Sequence, residues 1–300
     1  MAWSRRCWQT WGQTTPRAEP PALADTVLLD VNAPVLTFLS DYGLEDDFVG
    51  VCHGVIATIC PHARVIDLTH GIRRHDVRAG AVILREALPF TPVGVHLAVV
   101  DPDVGAQRRA VALRAADGRI LVGPDNGLLW LAAEFGGGVV QAVDIARSRF
   151  RLEPVSATFH GRDVFAPVAA ALASGVPLAQ VGEPCEPEQL ITLELPRARR
   201  EDGVLIAHVR YVDRFGNVQL DAGHDDLVDS GLKLGRPVEL ELGPRGTHRA
   251  HFGRTFADVG SGELLLYEDA HRRLSLAVNY GDAAARLSLT VDDELRITPK

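Results

Sequence analysis

Two stretches of this chain place reactive side chains where packing alone would not. In "VVDPDVGAQRR" Asp101 ends the most apolar strand of its domain, and an ionised carboxylate there needs a partner. Arg108 and Arg109, seven and eight residues further on, can reach it across the loop. A buried structural ion pair is the competing reading of the same residues. In "SATFHGRDVFAP", residues 156 to 167, Phe159, His160, Gly161 and Arg162 set a ring, an imidazole, a hinge and a guanidinium ahead of an alanine-rich run that ends at Gly175. Asp163 reads as the N-cap of a helix with Pro167 in its first turn. The positive end of that helix favours anions and lowers a histidine's affinity for protons. A carboxylate, a guanidinium and a neutral imidazole held together can orient a water molecule and accept its proton.

These groups need a scaffold, and the pattern from about residue 34 supplies one. "PVLTFLS", "ARVIDL" and the fully apolar "VGVHLAVV" read as strands, separated by the helical stretches "FVGVCHGVIATIC" and "DVRAGAVILREAL". In the first helix Phe48, Val51, Val55 and Ile59 recur at helical spacing. "RAVALRA" and "RILVGPD" form a strand pair about a turn at Asp117-Gly118, followed by a helix "GLLWLAAEFG" and a strand "VVQAVD". The alternation predicts an α/β N-terminal domain, residues 34–194, with a mostly parallel sheet. Beyond a linker at 195–203 the helical period gives way to alternating strands. "PVELELG" sets Val238, Leu240 and Leu242 against Glu239 and Glu241, and residues 204–300 read as a smaller antiparallel all-β domain. Residues 1–33 read as a poorly ordered extension without an apolar signal core.

Ligands of open α/β sheets bind beyond the carboxyl ends of the strands. The loops there, residues 40–47, 67–76, 101–109, 123–127 and 156–163, each contain an Asp. Asp41 serves equally as a turn former or a ligand group, Asp67 as a strand-end cap, and Asp125-Asn126-Gly127 as a tight turn. A net charge of -8 leaves no cationic excess for nucleic acid or an anionic membrane, so a small molecule is the expected partner. Four scattered cysteines form neither a disulfide framework nor a thiolate metal site, and no stretch has about 18 consecutive apolar residues, so a cytoplasmic protein is expected.

"FLSDYG", "VVDPDVGAQRR", "GPDNGLL", "TFHGRD" and "VDRFGN", in that order, resemble the successive motifs of the S-adenosyl-L-methionine hydroxide adenosyltransferase family, relatives of fluorinase and chlorinase. The resemblance covers about residues 34 to 290. It implies an N-terminal α/β and a C-terminal β domain, a homotrimer with sites between subunits, and displacement of methionine from the 5′ carbon of S-adenosyl-L-methionine by water-derived hydroxide, giving adenosine. It implies no metal and no cofactor, S-adenosyl-L-methionine being the substrate. The family's water-handling set falls on Asp101, Arg108 and His160. Asp41 is implied for the ribose hydroxyls, Asp46 and Asp213 for the methionine ammonium, Asn217 for the adenine edge and Phe256 for stacking on adenine. Phe159 would pack beside the ribose or sulfonium, and Gly161 would let backbone approach the substrate.

Two stretches depart from the family pattern. Asp103 stands where a glycine is usual, and Ala270, His271, Arg272 and Arg273 replace a short polar segment that contacts the methionine carboxylate. A halogenase forming a 5′-halo nucleoside is the nearest rival, but halogenating relatives lack the Asp-Arg-His set. A metal-dependent nucleoside hydrolase using "SDYGLEDD" and a non-catalytic binder of S-adenosyl-L-methionine or adenosine are the further alternatives.

Overall fold

A computed structural model describes residues 33–300, so all of the expected extension except Ala33 lies outside the described residues. The first sheet collects β1 (Val35–Ser40), β2 (Arg64–Thr69), β3 (Val95–Val99), β4 (Ala110–Ala115), β5 (Ile120–Pro124), β6 (Val139–Asp144) and β7 (Glu183–Cys185) in the order β2-β1-β3-β5-β4-β6-β7. It is mixed rather than mostly parallel. β2, β1, β3 and β5 run parallel, whereas β4, β6 and β7 each pair antiparallel with a neighbour. The cause is local: the turn at Asp117-Gly118, with Gly118 at φ +92°, folds β4 straight back on β5, and the chain then continues outward from β4.

The covering helices are α1 (Phe48–Ile59), α2 (Val77–Ala87), α3 (Trp130–Phe135) and α4 (Ala166–Ala173). α1 buries Val49, Cys52 and Ile56, a face turned from the expected Phe48-Val51-Val55-Ile59 stripe, and Phe48 is left exposed. Asp76 caps α2 by accepting the Ala79 N–H at 2.9 Å. Asp163 is not a cap. Residues Gly161–Phe165 form one π-helical turn leading into α4, and the buried Asp163 carboxylate accepts the Ser156 N–H at 2.7 Å and the Arg162 Nε–H at 2.6 Å.

The second sheet holds β8 (Arg199–Glu201), β9 (Val204–Val212), β10 (Val218–Gly223), β11 (Arg236–Glu241), β12 (Thr247–Phe252), β13 (Leu264–Glu268), β14 (Arg273–Val278) and β15 (Glu294–Pro299). β8 occupies part of the stretch read as a linker. The order β10-β14-β13-β12-β11-β15-β9-β8, with β10 also paired to β9, closes a barrel and removes the open edges of a flat sheet. One pair, β12 with β13, is parallel, and the short helices α5 (His224–Asp229) and α6 (Ala283–Leu287) lie between strands. Val238, Leu240 and Leu242 point into the barrel as their period of two requires. Arg78 on α2 bonds Asp292 at 2.6 Å, and Gln219 on β10 bonds Glu86 on α2 at 3.3 Å, so both sheets share α2 as a contact. No helix among the described residues is long and apolar enough to cross a membrane.

Candidate functional site

The buried strand β3 delivers Asp101 to its carboxyl end, and the loop to β4 returns Arg108 onto it. Arg108 Nε donates to both carboxylate oxygens, at 2.9 Å and 3.0 Å, and Nη2 adds a further bond to Oδ2. Nη2 also donates to His160 Nδ1 at 3.0 Å. The two charged side chains are 6% and 9% exposed, and the Arg108 guanidinium lies 5.1 Å over the Phe165 ring. This side-on pairing against an aromatic face suits arginine and no other cation.

An arginine has no acceptor, so the Arg108 bond fixes His160 Nδ1 as unprotonated and leaves the ring proton of the neutral form on Nε2. Burial lowers the proton affinity of His160 below its ordinary value, and the Arg108 charge lowers it further, against the opposing pull of Asp101 and Asp163. The helix end alone therefore does not account for the neutral imidazole.

Two devices hold the loop in place. Gly105 has φ +80°, and a Cβ there would collide with the Ala157 carbonyl, which ties the 101–109 loop to the segment leading to His160. Arg109, the other candidate partner, turns away to Asp125 at 2.8 Å, and Asp125 in turn accepts the Ile191 N–H at 2.8 Å. Asn126 donates to the Val100 carbonyl at 2.9 Å and accepts the Leu128 N–H, so Asp125-Asn126-Gly127 is a structural turn. Asp103 is exposed in this loop, whereas the Asp101 side chain is buried.

Beside His160, Phe159 stands edge-on to Phe48 at 5.0 Å and to Tyr42 at 5.8 Å. At Gly161 the missing side chain has a cause within the protein. A Cβ there would overlap the Tyr42 hydroxyl and stand 3.0 Å from Cζ, so the glycine makes room for a protein ring. Tyr42 went unnoticed in sequence because a tyrosine between Asp41 and Gly43 looks like a turn residue. Burial raises its hydroxyl well above the usual phenol range, with Cys52, Asp41 and Asp101 adding to the effect. Asp41 accepts the His75 N–H through Oδ2 at 2.9 Å, and Asp46 is exposed in the loop before α1.

Asp213, Asn217 and Phe256 gather in a different pocket, where Tyr267 and His271 also line the wall. Asp213 closes its own turn, Oδ1 accepting the Phe215 and Asn217 N–H groups and Oδ2 the Asn217 side-chain amide at 2.8 Å. Phe256 is 43% exposed and tilts against Tyr267 at 5.4 Å. Ala270 to Arg273 form the β13–β14 turn, in which the Asp269 carboxylate accepts the His271 and Arg273 N–H groups. The expected residues thus fall into two groups, one around Asp101 and one on the barrel.

Comparison with known proteins meets this geometry. The SAM hydroxide adenosyltransferase N-terminal domain matches residues 36–182, and the C-terminal domain of the same name matches residues 207–296. An (R)-S-adenosyl-L-methionine hydrolase of Salinispora tropica is 50% identical over 265 residues, covering 88% of this chain and 98% of its own. A fluorinase of Actinoplanes sp. is 28% identical over 291 residues, covering 88% and 97%. A crystal structure of an uncharacterized conserved protein from Thermotoga maritima superposes with a TM-score of 0.81 at 37% identity, covering 88% of this chain and 99% of that one.

Proposed function

The chain belongs to the SAM hydroxide adenosyltransferase family, and from that premise we propose how its residues turn S-adenosyl-L-methionine and water into adenosine and L-methionine. The enzyme is a SAM hydrolase; two relatives that are (R)-S-adenosyl-L-methionine hydrolases are 50% and 47% identical to it, against 28% for a fluorinase. The observation that carries the mechanism is Arg108 bridging the Asp101 carboxylate and His160 Nδ1 in one partly buried cluster. Oδ2 receives two bonds from Arg108 and Oδ1 one, so Oδ1 keeps a lone pair free to accept a proton from water. His160 presents Nε2–H, which can donate to the same water or to the ribose and fix its position. The water oxygen attacks the 5′ carbon while the carbon–sulfur bond breaks. Its electron pair returns to sulfur, and neutral methionine leaves without an acid. Phe159, Phe48 and Tyr42 wall the reacting carbon, and Asp41 takes the ribose hydroxyls.

The adenine and amino-acid ends are assigned to Asn217, Phe256, Asp213 and Asp46. The first three line a pocket of their own, which supports a site completed between subunits of a homotrimer. Exposed Leu44, Phe215 and Tyr280 supply apolar surface for such contacts. The reaction needs no cofactor, and the described cysteines are free, as suits the cytoplasm.

The test is incubation with S-adenosyl-L-methionine in isotopically labelled water, with and without chloride, and mass spectrometry of the nucleoside. Label in adenosine, lost in Asp101→Ala and His160→Ala, is the expected result. A 5′-halo nucleoside, or binding without product, would overturn it.

A further inference from the structure

Away from Asp101, a second set of side chains converges from separate elements. His53 on α1, Asp67 in β2 and His70 just beyond β2 bring Nε2, a carboxylate oxygen and Nε2 within 4.8 Å of one another. Asp67 Oδ1 lies 2.9 Å from His53 Nε2 and 3.1 Å from His70 Nε2. The His70 side chain is 2% exposed, with Phe38 edge-on to it at 4.7 Å. Its Nδ1 is bonded to Ser40 Oγ at 2.8 Å, yet its buried Nε2 makes no hydrogen bond. A buried ring nitrogen without a partner carries its full desolvation cost. The atom it faces is a carboxylate oxygen already engaged by a second imidazole.

We propose that His53, Asp67 and His70 bind a divalent first-row transition metal of the zinc class, at a site separate from the hydrolysis reaction. The donor set selects the ion: two imidazoles and one carboxylate suit zinc, cobalt or nickel, whereas magnesium and calcium prefer oxygen donors throughout. The spacing is compatible. Two donors with bonds of about 2.1 Å stand about 3.0 Å apart at a right angle and about 3.4 Å apart at the tetrahedral angle. The oxygen–nitrogen separations of 2.9 and 3.1 Å match the right-angled case, and all three donor atoms lie within 4.8 Å of one another. Ser40 on Nδ1 orients the buried imidazole in the way outer partners of metal-bound histidines do. His53 and Asp67, at 35% and 41% exposure, leave a path for the ion and room for waters to complete its shell. The site also touches the substrate loop. The His70 carbonyl accepts the Gly43 N–H at 2.8 Å, and Ser40 Oγ accepts the Tyr42 N–H at 3.3 Å. A bound ion therefore pins the backbone that presents Asp41.

The experiment is calorimetric titration of untagged, full-length, chelator-stripped protein with zinc chloride, and with magnesium chloride as control. One zinc equivalent per chain is expected and no magnesium. Affinity should fall by about tenfold or more in His53→Ala and in Asp67→Asn, since even outer partners of such ligands are worth that much. Zinc should raise the melting temperature of the parent protein and, at the same concentration, raise that of His53→Ala by less. Absence of stoichiometric zinc binding, or undiminished binding in His53→Ala, overturns the proposal. That position is partly exposed on a helix, so the variant folds even if Asp67→Asn does not.

Discussion

Replacing Gly161 with alanine tests the packing that aims His160. The new Cβ would overlap the Tyr42 hydroxyl, 3.0 Å from Cζ and 3.3 Å from Cε2. Tyr42 has nowhere to go, because its ring stands edge-on to Phe159 at 5.8 Å and to Phe38 at 6.3 Å and leans on Phe48 at 5.8 Å. Overpacking of this kind costs about 1–3 kcal/mol of stability. The backbone at 160–161 yields instead, and a catalytic group displaced by about 1 Å loses roughly 100-fold in rate. Gly161→Ala should therefore melt lower and form adenosine about 100-fold more slowly. Tyr42→Phe removes the overlapping atom and leaves the ring contacts at 3.0 and 3.3 Å, which a few tenths of an ångström relieve. Measured against Tyr42→Phe alone, the added alanine should then cost little, a coupling in a double-mutant cycle of about 1–2 kcal/mol in stability and about 2–3 kcal/mol in activation free energy. Unchanged activity in Gly161→Ala, or an undiminished loss in the pair, would refute the reasoning.

Four further outcomes are expected. Arg108→Lys keeps a charge but cannot span Asp101 and His160 at once, so kcat should fall by about 100-fold or more with KM little changed, by steady-state assay of adenosine. Lowered proton affinity in the fold keeps His160 neutral below its ordinary value of 6.5, so the acid limb of the pH–rate profile due to this group should lie below that pH and move up in Arg108→Met. The stability sign follows: between the folded value and 6.5 the unfolded chain binds more protons, so stability falls as pH drops through that window, and His160→Gln should flatten the fall in denaturant titrations. Asp103→Gly, on an exposed turn, should leave stability within about 0.5 kcal/mol and turnover within about twofold.

What sequence could and could not convey follows from the range of each interaction. Asp101 with Arg108, the strand pair about Gly118 and the barrel alternation at Val238, Leu240 and Leu242 are local patterns, and each was visible as spacing. Strand direction was not. The folding-back of β4 and the pairing of β6 with β4 depend on which neighbour offers free hydrogen bonds, and "VVQAVD" is equally apolar in either direction. Barrel closure by β9 with β10 is likewise a long-range pairing. Asp163 looked like a cap because its type and position fit one, but the fold draws its carboxylate back to Ser156. Gly161 stands out in "TFHGRD" as a residue without a side chain, but nothing in that stretch reveals that Tyr42 packs against it. His53, Asp67 and His70 were invisible together because a helix, a strand and a loop each contribute one of them.

The π-helical turn at Gly161–Phe165 sets the heading of the imidazole as a matter of phase. Each residue of an α-helix advances the chain by about 100°, so deleting one residue from that turn would restore regular winding and rotate everything upstream through about that angle. α4 would stay seated in the core while His160 Nδ1 swung off Arg108. No change of side chain produces such a rotation, so the aim of this group is written into residue count, and length variation in these five positions would be less tolerated than any single replacement within them.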